Sequence, residues 1–153
     1  MELAAIILNW NAASDTIRCV EGLAGWSRLQ PTVWVVDNAS SDGSADIIAA
    51  SCPQVHRIRN TANLGYADGN NQALRPALAW GSDPILLLNN DVVVAEAAVI
   101  RLVETLQADP RLGFIGPLLF DAAQPDRLLA AGGQNMVCHL TSHISKVSGD
   151  RPI

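Results

Sequence analysis

A chain of 153 residues, 49% apolar and 16% charged, is long enough to bury one sizeable core and reads as globular. Its formal net charge of -5 argues against a general nucleic-acid surface, while phosphates held by backbone N–H groups and a metal stay compatible with it. Three widely separated cysteines without a CxxC pair fit a reduced compartment, and Cys19, Cys52 and Cys138 read as small buried apolar residues.

In chain order, "LAAIIL" (3–8) predicts a strand buried on both faces. It is too short to cross a bilayer, and Met1 and Glu2 ahead of it do not make a signal peptide, which implies a soluble chain compatible with a membrane-associated parent. Ser14 and Asp15 offer an N-cap, and Ile17, Val20, Leu23 and Ala24 share a helical face to about Trp26. "TVWVVD" (32–37) is a β-branched strand, "NASSDGS" (38–44) a turn cluster opening a helix over 45–51, and "VHRIR" (55–59) a shorter strand. "NTANLGYADGNN" (60–71) reads as a polar loop feeding a helix to about Trp80. "PILLLN" (84–89) is the fourth strand, 96–107 a helix, and "LGFIGPLLF" (112–120) a fifth strand region. The β-α alternation predicts an α/β fold of three layers, a mostly parallel sheet with helices on both faces. The expected domains are a core over 1–131 and an irregular C-terminal segment over 132–153.

In open α/β sheets ligands bind outside the carboxyl ends of the strands. Here the first strand is followed by Asn9-Trp10-Asn11, the second by Asp37-Asn38-Ala39-Ser40, the third by the Asn60–Asn71 loop and the fourth by Asn89-Asn90-Asp91. One such end is an ordinary turn; four on one edge predict a polar crevice. "NWNAAS" has no glycine, so neither a dinucleotide fingerprint nor a P-loop is present after the first strand. Asp91 is instead a hard oxygen ligand suited to Mg²⁺ or Mn²⁺, which take one or two carboxylates plus substrate phosphate.

The blocks "ILNWN", "VVDNASSDGS", "NLGYADGNN" and "LLLNNDVVV", in this order and spacing over about residues 3–120, resemble the donor-binding half of family 2 nucleotide-sugar glycosyltransferases. The closest resemblance is to the rhamnosyltransferase-like branch. It implies a GT-A fold with a Rossmann-like nucleotide-binding half. The implied activity is inverting transfer of a sugar from a dTDP- or UDP-linked donor to a glycan or lipid-linked acceptor, in cell-surface polysaccharide synthesis. By the same resemblance Asn9, Trp10 and Asn11 line the nucleotide pocket. Asp37 and Asn38 match an acidic pair that reads base and ribose, with an amide replacing the second acid, and Ser40 is expected beside them among the nucleotide-sugar-binding residues. Asn63, Gly65 and Asn70 match the loop that approaches the diphosphate and sugar. Asn89, Asn90 and Asp91 match the DxD motif, with only the last acid, the metal ligand, retained. Family members carry the general base for the acceptor hydroxyl in a second half. No such segment follows Gly133, which predicts a donor-binding fragment lacking that base. Cytoplasmic placement, at the inner face of the membrane for a membrane-associated parent, and homo-oligomerisation accompany this expectation.

Two rival readings use the same residues. A sugar nucleotidyltransferase would need a glycine-rich basic loop where "NWNAAS" stands. A non-catalytic module would bind nucleotide or assemble with a partner. His139 and His143 are four apart beside Cys138, yet no HExxH glutamate accompanies them, and Thr141, Ser142 and Ser145 are poor helix formers, so solvated polar residues are the simpler reading. His56 reads as structural, Trp26, Trp34 and Trp80 as core, and Asp42 as helix entry. Trp10 is open between stacking on a base and packing over the first helix.

Overall fold

The computed structural model describes residues 2–131, and the backbone alone of 133–135 and 141–143. His139 and Cys138 lie outside the described residues, as does the side chain of His143. The chain divides into two compact units, Met1–Glu96 and Ala97–Ile153.

The first unit is built on four parallel strands, β1 (Ala4–Asn9), β2 (Thr32–Asp37), β3 (His56–Arg59) and β4 (Ile85–Asn89), in the order β3-β2-β1-β4. Three helices connect them, α1 (Ala13–Ala24), α2 (Ser44–Ser51) and α3 (Gly65–Ala79). The expected strands are found within a residue or two, because uniformly apolar runs have nowhere to go but a sheet covered on both faces. Alternate residues feed two cores. Ala5, Ile7, Val35 and Leu88 pack with Val20 and Leu23 of α1 and Ile48 of α2. Ala4, Ile6, Trp34 and Val36 pack with Ala73 and Ala77 of α3 on the other face. This is the three-layer α/β/α arrangement. The small residues of α3 let it lie close, and at Gly69 an added Cβ would stand 2.8 Å from Leu8 Cδ1.

Strand order turns back at β1, since β2 and β3 extend to one side and β4 lies on the other. In open α/β sheets such a switch point, at the carboxyl ends of the strands, is where ligands bind. Register places Asn9 beside Asp37 and Leu8 beside Asn89, so the polar ends of three strands lie along one edge.

Several sequence expectations are corrected. The α1 N-cap is Ala12, without a side-chain cap; Ser14 and Asp15 lie in the helix, where Asp15 pairs with Arg18. The expected loop over 60–71 is helical from Gly65, because Gly65 adopts φ 73° and Asn63 accepts its N–H at 2.8 Å, closing a turn that starts α3 early. Trp80 is not core but 62% exposed, lying edge-on to His56, whose ring stacks on the buried Trp34 at 4.3 Å. Cys19 and Cys52 are buried as expected.

In the second unit, α4 (Glu96–Ala108, beginning at the last residue of the first unit) buries Val99 and Val103. The expected fifth strand over 112–120 reduces to β5 (Leu119–Phe120), which pairs antiparallel with β6 (Leu128–Ala130) in a separate sheet. Gly116-Pro117 breaks the run, and a proline cannot donate to a ladder. Strands β7 (Gly133–Asn135) and β8 (Thr141–His143) form another antiparallel pair. No described helix is long and apolar enough to cross a membrane.

Candidate functional site: the carboxyl edge of the sheet

Asn9 is the hub of the edge. It is fully buried, and its Nδ2 donates to Asp37 Oδ1 at 2.8 Å and to Ser40 Oγ at 3.1 Å. Its Oδ1 accepts from Thr16 Oγ1 at 2.9 Å. Both amide protons and the carbonyl are therefore used, as burial requires. Ser40 N–H donates to Asp37 Oδ2 at 3.1 Å, folding the turn after β2 back onto its own acid. Ser40 Oγ also accepts the Asn11 N–H at 2.9 Å, and Asn11 Oδ1 accepts the Ser41 N–H at 2.8 Å. Asn11 sits at φ 51°, a conformation asparagine tolerates better than most residues. The turns after β1 and β2 are thus stitched together.

Asn38 organises the third strand end. It is 2% exposed, and its Nδ2 donates to Asn63 Oδ1 and to the Gly65 carbonyl, at 2.9 and 3.1 Å. Its Oδ1 accepts from Asn60 Nδ2 and the Leu64 N–H, at 2.9 and 3.0 Å. Two donors and two acceptor positions exhaust that amide. Asn38 holds the 60–65 turn in place, and Asn63 and Gly65 are parts of that turn. Asn70 lies on α3, 4% exposed, and donates to the Tyr66 carbonyl at 2.8 Å.

The fourth strand end is the most open. Asn89 and Asp91 are exposed and Asn90 half-buried, and the Val92 N–H closes a turn onto the Asn89 carbonyl at 3.2 Å. Asn90 Nδ2 donates to Thr16 Oγ1 at 3.1 Å, tying this turn to α1. Asp91 joins no ion pair among the described residues. Burial, and then the Asp91 charge, push the Cys19 thiol up to about 11. Trp10 is 57% exposed at the end of β1, so it does not pack into the core.

The structure therefore joins Asn9, Asn11, Asp37, Ser40 and Asn90 in one network, and Asn38, Asn63 and Gly65 in an adjoining one. Trp10, Asn89 and Asp91 stand open to solvent at the same edge. Asn70 lies apart in hydrogen bonding, on its own helix. Sequence reasoning missed Thr16, and named Asn60 only as the start of the polar loop after the third strand. Thr16 stands four and seven residues before Val20 and Leu23, so a hydroxyl on the buried face of α1 was the available signal. An open cleft of about 160 Å³ adjoins this edge, lined by Asp37, Ile48, Arg57 and Arg59 among others. Among the described residues no cluster of three or more His, Cys, Asp or Glu could hold a metal. A lone exposed carboxylate beside two amides still fits a Mg²⁺- or Mn²⁺-type ion, whose remaining ligands are water and phosphate oxygens.

Residues 4–128 match the family model described as Glycosyl transferase family 2. The N-acetylglucosaminyl-diphospho-decaprenol L-rhamnosyltransferases of two Mycobacterium tuberculosis strains are 28% identical over 127 residues, 78% of this chain and 41% of theirs. The chain thus spans well under half the length of these curated relatives. The mannosyltransferase PcManGT from Pyrobaculum calidifontis, solved with GDP-Man and Mn²⁺, superimposes with a TM-score of 0.59 at 24% identity, over 73% of this chain and 34% of that one. TarS (residues 1–349) of S. aureus does so with 0.57 at 18% identity, over 71% and 33%. These likenesses show the fold, which is of the GT-A type. With its parallel sheet, its polar strand ends and the match over 4–128, the chain belongs to glycosyl transferase family 2.

Proposed function

We propose that the carboxyl edge of the sheet binds a nucleotide diphosphate sugar and that the chain serves as the donor-binding part of an inverting glycosyltransferase. The observation that carries this reading is the network through Asn9, which holds the ends of β1 and β2 and the turn after β4 in one rigid frame beside the exposed Asp91, which joins no ion pair among the described residues. Preorganised polar groups of this kind bind without an ordering cost at the moment of binding. Asp37, with an unused lone pair on each carboxylate oxygen, and the cleft it shares with Arg59 receive the base. Asn38 acts indirectly, through the turn it holds. Trp10 offers an exposed indole face for stacking.

Asp91, with Asn89 and Asn90 beside it, would hold Mg²⁺ or Mn²⁺. Such an ion supplies charge stabilisation to a leaving diphosphate. The residues themselves fix the turn and present one carboxylate to the phosphates. The donor we propose is dTDP- or UDP-linked rhamnose, and the acceptor a lipid-linked sugar diphosphate, on the strength of the mycobacterial relatives' names. The attacking hydroxyl also needs a base; none of the residues above is assigned that role.

The test is calorimetric titration of the chain with UDP and dTDP, with and without Mn²⁺. The expected result is binding that Mn²⁺ strengthens and that loses this dependence in Asp91→Ala. Equal affinity with and without the ion overturns the cation role, and no binding of either nucleotide overturns the donor site. Self-association is a second reading. It is supported by β4, which pairs only with β1 among the described strands and carries the 47% exposed Leu87. A sedimentation series over protein concentration that shows only monomer removes it.

A further inference from the structure

We propose that Thr16 is a positioning residue, whose hydroxyl fixes the orientation of the Asn90 amide and with it the Asn89–Asp91 turn. This rests on reading that turn as the diphosphate and cation end of the donor site.

Donor and acceptor directions force the orientation. The Asp37 carboxylate accepts from Asn9 Nδ2 at 2.8 Å, and this turns the Asn9 amide so that its Oδ1 meets Thr16. A threonine hydroxyl has one proton, and Thr16 spends it on Asn9 Oδ1 at 2.9 Å. What is left at Thr16 Oγ1 is acceptor capacity, which Asn90 Nδ2 meets at 3.1 Å. With its amide reversed, Asn90 would set a carbonyl oxygen against an oxygen whose proton is already committed. The nitrogen of Asn90 is therefore held toward α1, and Oδ1 is the atom of that amide which Thr16 does not engage. A preference set by a carboxylate at the end of β2 reaches the turn after β4 through two intervening side chains.

Burial makes this relay strict. Asn9 and Thr16 are both fully buried, so water cannot stand in for a missing partner. No other side chain among the described residues links α1 to the Asn89–Asp91 turn by a side-chain-to-side-chain hydrogen bond. Among the described residues the Cys19 thiol of α1 also makes a long contact with the Asn89 carbonyl, at 4.0 Å, and feels the Asp91 charge.

A packing role and a relay role predict opposite substitution patterns. Valine keeps the shape of threonine and removes the hydroxyl; serine keeps the hydroxyl and removes a methyl. If only the volume of Thr16 matters, Thr16→Val keeps the Mn²⁺ gain and Thr16→Ser, which deletes a buried methyl, is the damaging change. If it relays orientation, the order reverses.

The experiment titrates UDP and dTDP, each with and without Mn²⁺, into the full 153-residue chain and its Thr16→Ser, Thr16→Val and Asn90→Ala variants. In Thr16→Ser the gain in nucleotide affinity conferred by Mn²⁺ is expected within about twofold of the unsubstituted chain. In Thr16→Val that gain is expected to fall about tenfold, the scale of lost support behind a ligating group, while metal-free affinity, held on the Asp37 side, stays put. Asn90→Ala, which breaks the relay at its outer end without opening the core, is expected to match Thr16→Val, and a fourth variant combining Thr16→Val with Asn90→Ala to be no worse than the poorer single one. A full Mn²⁺ gain in Thr16→Val or in Asn90→Ala overturns the relay, as does a loss in Thr16→Ser equal to that in Thr16→Val. Absence of any Mn²⁺ gain in the unsubstituted chain overturns the cation reading and the relay together. A gain shared equally by the unsubstituted chain and Thr16→Val overturns the relay alone.

Discussion

Asn9 at the end of β1 donates to Asp37 at the end of β2 over 2.8 Å, and both side chains are buried. Neighbouring parallel strands in register put the two residues side by side, so the bond needs no loop to bring them together. Replacing Asn9 with Leu leaves the Asp37 carboxylate and the Thr16 hydroxyl each short of a partner in the interior. Each orphaned group costs on the order of 1–3 kcal/mol, so a loss of about 2–6 kcal/mol is expected in urea unfolding. A loss within experimental error would show that water replaces the amide.

Asp91 makes the contrasting case. It is exposed and joins no ion pair among the described residues, so Asp91→Ala is expected to change stability by less than about 0.5 kcal/mol. Thermal unfolding of the variant, set beside its nucleotide titration, separates the two properties. A clear drop in stability would mean that Asp91 is part of the frame rather than a ligand on it.

Gly69 tests how closely α3 must lie on the sheet. An added Cβ meets Leu8 Cδ1 at 2.8 Å, Leu8 Cδ2 at 3.1 Å and Asn38 Nδ2 at 3.3 Å. The half-buried Leu8 can turn aside for one methyl, and alanine gains about 1 kcal/mol of helix propensity over glycine, so Gly69→Ala is expected to be close to neutral. Gly69→Val brings a branched side chain against both neighbours and is expected to cost about 1–3 kcal/mol. Because Asn38 holds the 60–65 turn, amide exchange at Leu64 is expected to speed up in the valine variant. Unchanged exchange at Leu64 would show that the strain is absorbed by Leu8 alone.

Cys19 gives a pH dependence. Burial first, and the Asp91 charge second, raise its thiol from 9.0 to about 11. The folded state therefore holds the proton more tightly than the unfolded chain. The stability this contributes is complete below the unfolded thiol's range and lost as pH rises through about 11. Unfolding free energies are expected to fall across that interval and to fall less in Cys19→Ala. At mildly alkaline pH a thiol reagent is expected to modify Cys19 only as fast as the protein opens; rapid labelling of the native chain would contradict the burial.

Glu96 shifts the other way. The Leu29 N–H at 2.7 Å lowers its carboxyl most, partial desolvation opposes, and the Arg28 N–H at 2.6 Å and Ser27 add to the lowering. A depressed folded value means that the tie between Glu96 and the 27–29 loop is fully present above the ordinary glutamate range. It is lost as pH falls through the lower folded value. Exchange protection of the Arg28 and Leu29 amides is expected to drop on acidification, and to be low already at neutral pH in Glu96→Ala. Protection independent of pH in the unsubstituted chain would remove Glu96 as its source.

The sequence by itself determined the layers and the edge. Runs such as "AAIIL" and "VWVV" carry no polar residue to face water, so they had to be strands covered on both sides, and helices had to supply the covers. Polar residues at the ends of four expected strands then pointed to the carboxyl edge as the place for a ligand, and four motifs in order pointed to the family. Partnership was decided only by the tertiary structure. Asn38 and Asn9 look alike in the chain, yet one is exhausted by the 60–65 turn and the other joins the strand ends. Gly65 began α3 inside what composition marked as loop, because a local Asn63 turn outweighed the polar character of 65–71. The run over 112–120 had the apolar content of a core strand, but Gly116-Pro117 removes the ladder donor that joining the sheet requires. Thr16 could not be named from sequence, since a hydroxyl on a helix face acquires a direction only when the folded chain sets Asn9 on one side of it and Asn90 on the other.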